Sequence, residues 1–131
     1  MTKELFDQLV EEIRMESLDT LVQKNAKYAQ GDDRLHNFKA GADIGGGTAA
    51  QACWGYLTKH LVALRDMVER NDFSDREDFL EKCKDSINYI VFLWCIGNEE
   101  RLGLLYKEHF AELYAEEVGP NEDVPGPESG L

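Results

Sequence analysis

All three prolines of this 131-residue chain fall after Gly119, and no stretch before that point alternates apolar and polar residues with period two. A half-buried strand needs that alternation, so a sheet has nowhere to sit. Apolar residues recur instead at steps of three and four, the helical period. The reading is all-α: a bundle of about four helices over residues 1–118, then an acidic tail over 119–131. That tail, PNEDVPGPESGL after Gly119, has the composition of a disordered segment.

Taken in order, Lys3 to about Gln30 reads as a first helix with the stripe Phe6, Val10, Ile13, Leu18, Leu21 and Val22, closed by Gly31. Asp32 to Ala40 fits a short helix or an ordered loop. Gly41 to Gly47, GADIGGG, reads as irregular because its last three residues are all glycine. It has neither the strand before it nor the Lys-Ser/Thr after it that a phosphate-cradling loop requires, so a flexible connector or lid is expected. Thr48 with Gln51 has the form of a capping box and opens a second helix running to about Asn71. Ser74 with Glu77 repeats that form and opens a third, with Leu80, Cys83, Ile87, Ile90 and Trp94 on its stripe. From Ile87 to Ile96 this helix is apolar nearly all round, the pattern of a buried central element. The short turn between helices two and three predicts an antiparallel pair. Gly97-Asn98 ends or weakens the third helix, and Glu99 to Val118 is helical in pattern again.

Charge and cysteine usage narrow the function. A net charge of −12 and a pI of about 4.6 argue against a DNA or RNA backbone as partner, since phosphate neutralisation needs basic patches. A small nucleotide carried in with a divalent cation is compatible with that charge. Cys53, Cys83 and Cys95 are odd in number and lack CxxC spacing, which predicts reduced core thiols of a cytoplasmic protein. The acidic amphipathic N-terminus does not read as a signal peptide, and the run IVFLWCI is far too short to span a bilayer, so no membrane partner is expected.

One line of polar residues enters the most apolar helix: Glu81, Asp85 and Asn88, at i, i+4 and i+7 and therefore on one face. Buried charge is costly unless it is paired or bound to metal. Hard oxygen donors on successive turns suit Mg²⁺ (or Mn²⁺), which binds through one or two carboxylates together with substrate phosphates. Such a metal would polarise phosphorus for attack by water. Glu81 and Asp85 are the candidate metal ligands and, with Asn88, the candidate catalytic set. Lys59, Lys24 and Arg34 are candidates for phosphate contact, Tyr28 and Tyr89 for packing on a base, and His60 joins them on the apolar stripe of the second helix, with Lys59 at its edge. The plain alternatives are that Lys24 caps a helix C-terminus and that His60 is a hydrogen-bonded core residue.

Three segments carry a family resemblance. Lys24-Asn25-Ala26-Lys27-Tyr28 resembles the KNxDYG element of the nucleotide-modification-associated domains of phages and bacteria, a MazG-like group. Tyr56 to Leu64, YLTKHLVAL, is similar to that group's helix containing DK and a following basic residue, and Glu81 to Tyr89 resembles its helix ending in D-x-x-N-Y, with Asp85, Asn88 and Tyr89 matching residue for residue. The resemblance implies an all-α, Mg²⁺-dependent, homo-oligomeric NTP pyrophosphohydrolase, phage-encoded and acting in the host cytoplasm. The departures lie in the metal motif. Lys82 stands three before Asp85 where the superfamily has an acid, the second helix offers only Asp66 and Glu69 in place of ExxE, and Lys27 replaces an Asp. Three functions stay open: hydrolysis of a nucleoside triphosphate, nucleotide binding without hydrolysis, and an acidic helical protein that engages a host protein.

Overall fold

The structure, a computed structural model, describes residues 1–28 and 33–117, the side chains of 25–28, 104–107, 110 and 114–117 excepted. Among the described residues it is all helix, with no strand. The elements are α1 (Lys3–Arg14), α2 (Thr20–Tyr28), α3 (His36–Gly45), α4 (Ala49–Arg70) and α5 (Arg76–Glu117). The chain forms two compact units, Met1–Ile96 and a second from Gly97 onward. The expected tail over 119–131 lies outside the described residues.

The first helix of the sequence reading is two helices. α1 opens on Thr2, whose hydroxyl accepts from the Leu5 amide at 3.2 Å. After Arg14 the winding widens into a π-turn, Met15–Asp19, before α2 begins. Ser17 and Thr20 donate back to the carbonyls of Ile13 and Glu16, one turn earlier. Hydroxyls bonding to i−4 carbonyls loosen and bend helices, which fits a wide turn at this point.

The glycine-rich segment departs most from expectation. Gly41 to Gly45 continue α3 as regular helix, and only Gly46 and Gly47 leave it, at φ 77° and 94°. Gly47 is needed twice over, because a Cβ there would stand 2.3 Å from Gln51 Oε1. That oxygen is occupied. Gln51 accepts from the Thr48 amide at 2.9 Å while Thr48 accepts from the Gln51 amide at 3.1 Å, the capping box expected for α4. α4 stops at Asn71, which takes the left-handed conformation (φ 49°, ψ 42°) that asparagine tolerates.

The start of α5 falls one residue later than Ser74. Asp75 caps it, accepting from the Asp78 amide at 3.1 Å, while Ser74 bonds to Asp72. Phe73 packs on Phe79 across the turn, with ring centroids 4.9 Å apart. Gly97 and Asn98 do not end this helix; it runs on to Glu117, so the expected third and fourth helices are one element. α4 and the first part of α5 are antiparallel as expected. Cys53 Sγ donates to the Tyr89 carbonyl at 3.3 Å, and further along α4 His60 meets Asp85, earlier on α5.

The core gathers Leu35, Phe38, Cys53 and Ile96, with Ala49, Ala50, Tyr89, Phe92 and Leu93 packed against it. It is built where α3 and the N-terminal half of α4 meet α5. α5 is less enclosed than its composition suggested: Ile90 and Trp94 are 54% and 71% exposed. Of the three cysteines only Cys53 is fully buried, and Cys95 is exposed, so the expectation of three core thiols holds for one. Arg76 on α5 forks onto the Glu12 carboxylate of α1. Among the described residues no helix is long and apolar enough to cross a membrane.

Candidate functional site

A cavity of about 560 Å³ opens between α2, α3, α4 and the first part of α5, and its lining residues all belong to the first unit. α2 brings Leu21 and Lys24. The turn before α3 brings Arg34, and α3 itself Asn37, Phe38, Ala40, Gly41 and Ile44. Tyr56 comes from α4, and Asp85, Asn88, Tyr89 and Phe92 from one face of α5. This volume lies in the range of small-molecule sites.

Four aromatic rings make one wall. Tyr89 is central: it stacks on Tyr56 (5.9 Å, 14° between planes) and on His60 (5.2 Å, 26°), one turn apart on α4. Phe38 meets Tyr56 and Tyr89 edge-on, at 6.2 and 6.4 Å, and leans on Phe92 at 5.0 Å. Edge-to-face and offset pairs of this kind hold each ring's orientation beyond what burial alone does. Burial, and then the charge of Asp85, push the Tyr89 hydroxyl above its ordinary pKa, so it is a neutral donor at any physiological pH.

Asp33, next to Arg34 in the chain, anchors the turn before α3. One Asp33 oxygen accepts from the Leu35 amide at 3.0 Å and the other from Lys39 Nζ at 2.7 Å, so the turn holding Arg34 is tied to the first turns of α3. The lysine bond and then the amide bond hold the Asp33 carboxyl below the usual carboxylate range.

Facing these groups, α5 presents acceptors. Asp85 lies with one oxygen 3.9 Å from His60 Nδ1. Three residues on, the carboxamide oxygen of Asn88 is buried and receives no hydrogen bond among the described residues. Buried acceptors without a donor are uncommon and costly.

Of the residues picked out from sequence, Asp85, Asn88, Tyr89, Lys24 and Arg34 line this one cavity. His60 stands behind it, packed on Tyr89 and beside Asp85. Glu81 is exposed one turn before Asp85, and Lys59 is exposed on α4; neither lines the cavity. The side chain of Tyr28 lies outside the described residues. Among the described residues, Asp85 is the one carboxylate on the wall, and no three His, Cys, Asp or Glu side chains cluster as a metal-holding group. Sequence reasoning missed Phe38 and Phe92 and placed Tyr56 only on a packing stripe. Their signal was in view, since three of the four wall aromatics flank polar residues already suspected: Tyr56 before Lys59-His60, and Tyr89 and Phe92 after Asn88.

Comparison with protein-family models, curated proteins and solved structures finds no match to this chain.

Proposed function

We propose that this chain is a nucleotide-binding protein and that the cavity between α2, α3, α4 and α5 is its binding site. One observation carries the reading: two cations, Lys24 and Arg34, share a nucleotide-sized cavity with a four-ring aromatic wall. Cations suit phosphate oxygens and aromatic faces suit a base. The resemblance of Asp85-x-x-Asn88-Tyr89 to the MazG-like group points the same way.

Hydrolysis is a separate question. The resembled superfamily places several carboxylates around Mg²⁺, whereas this wall has Asp85 alone among the described residues, with Glu81 outside it. That donor set supports holding a nucleotide over cleaving it. The two are separated by incubating the protein with nucleoside triphosphates and Mg²⁺ or Mn²⁺ while following pyrophosphate release, alongside calorimetric titration. Binding without release fits the reading proposed here, release restores the pyrophosphohydrolase, and neither leaves an acidic protein that acts through a macromolecular partner.

A homo-oligomer is the second part of the proposal. α1 buries none of its residues although it is strongly amphipathic, and Phe6, Val22, Trp54, Val68 and Trp94 are all more than half exposed. Apolar surface on that scale marks an interaction face.

A further inference from the structure

We infer that a second copy of this chain docks on the side of α4 and the first part of α5 that faces away from the cavity, the two copies being related by a twofold axis. The inference rests on the homo-oligomer reading above and names the face that carries it. Helical register sets that face. Trp54, Leu61 and Val68 fall at i, i+7 and i+14 along α4, all exposed. Tyr56, which lines the cavity, stands two residues after Trp54, and two residues are about half a turn of helix. α5 repeats the relation. Ile90 and Trp94, both more than half exposed, each follow a cavity residue, Asn88 and Phe92, by two positions. Both apolar lines therefore turn away from the cavity, and an exposed apolar face spanning two helices marks an interaction site.

Charge decides what covers it. A second copy brings the same −12 and is repelled from any surface that carries the acids. α1 is such a surface, because its exposed Phe6 and Val10 sit among Glu4, Asp7, Glu11 and Glu12. The α4–α5 face is different. From Ala49 to Arg70 the acids are Asp66 and Glu69, which lie 3.6 and 3.8 Å from Arg65, while Lys59 and Arg70 add positive charge. From Lys82 to Ile96 the one acid is Asp85, which lines the cavity, against Lys82 and Lys84. This is where a strongly acidic chain lets its own copy approach. A basic partner would be drawn to α1 instead, since complementary charge steers encounter. A twofold contact presents the same patch from both sides, so each of its residues enters twice.

Trp54 and Trp94 are the two tryptophans of the chain and both belong to this face, so their fluorescence reads it directly. The test follows sedimentation velocity and tryptophan emission of the full chain over one dilution series. The dimer is expected to emit to the blue of solvated indole, and its dissociation and the red shift of the emission should form a single transition. Leu61→Glu and Ile90→Glu each bring two like charges into the contact and should raise the dissociation constant at least ~100-fold. Both side chains are exposed, so circular dichroism should show unchanged helicity. Phe6→Glu on α1 should leave the dimer as it is. A dimer whose tryptophans emit like solvated indole, or one that Leu61→Glu and Ile90→Glu leave intact, overturns this face and leaves the oligomer reading standing; a monomer at every concentration overturns both. Should a Glu variant lose helicity, the emission of the wild-type dimer decides alone.

Discussion

Single residues here are distinguished by whether they face the cavity, and substitutions should follow that division. Lys24 is exposed, lines the cavity and stands on α2, so Lys24→Met is expected to weaken nucleotide binding by about tenfold, the worth of one charge-assisted bond. Its melting temperature should stay that of the wild type. Lys59→Met, at an exposed position off the wall, should leave affinity unaltered in the same titration, and a matching tenfold loss would return Lys59 to the site. The two glycines at the end of α3 form a similar contrast. Gly47→Ala meets both a left-handed backbone and the Gln51 side chain, so chemical denaturation should register a loss of about 1–3 kcal/mol. Gly45 is helical with open space around it, and Gly45→Ala should be neutral or slightly stabilising.

At the scale of elements, the turn before α3 depends on one carboxylate. Asp33 sits below its ordinary pKa in the folded chain, so its contribution to stability is present above the unfolded carboxylate value and disappears as pH falls through the lower folded one. Melting followed below about pH 4 should therefore be less steeply pH-dependent in Asp33→Asn than in the wild type. Asp75→Ala should cost about 1 kcal/mol as the loss of the α5 cap, and Ser74→Ala clearly less. These elements also show what could be read from the chain. The Thr48–Gln51 box was legible because both partners are local and nothing else competes for them. The identical pattern at Ser74–Glu77 misled because Asp72 captures the Ser74 hydroxyl, leaving the role to Asp75. The run GADIGGG looked irregular because glycine's intrinsic helix preference is poor; α3 nonetheless carries helix through Gly45, held by Phe38 and Ala42, which are buried. Helical spacing brought Asp85 and Asn88 to one face correctly. That Glu81 drops off the wall was not legible, since how far a cavity extends along a helix is set by what α2 and α3 place opposite it.

For the whole molecule, the acidic balance does not extend to the cavity: its charged lining residues are Lys24, Arg34 and Asp85, so most of the charge of −12 lies elsewhere. The exposed apolar side chains of α1, α4 and α5 belong to this scale too. Light scattering at micromolar concentration should return the mass of a dimer or larger, and Trp94→Lys, replacing a ring that is 71% exposed, should lower that mass if α5 contributes to the contact. A strictly monomeric wild type would remove the oligomer from the account. The central claim is that a nucleotide occupies the cavity. It is tested most directly by titrating ATP, GTP, CTP and UTP in turn, in a calorimeter, into the wild type and into the double variant Lys24→Met, Tyr56→Ala, whose two positions are both exposed and both on the wall. The account predicts saturable binding of one nucleotide per chain, weakened at least ~10-fold in the variant; no saturable binding of any of them to the wild type, or the same affinity in both proteins, would contradict it.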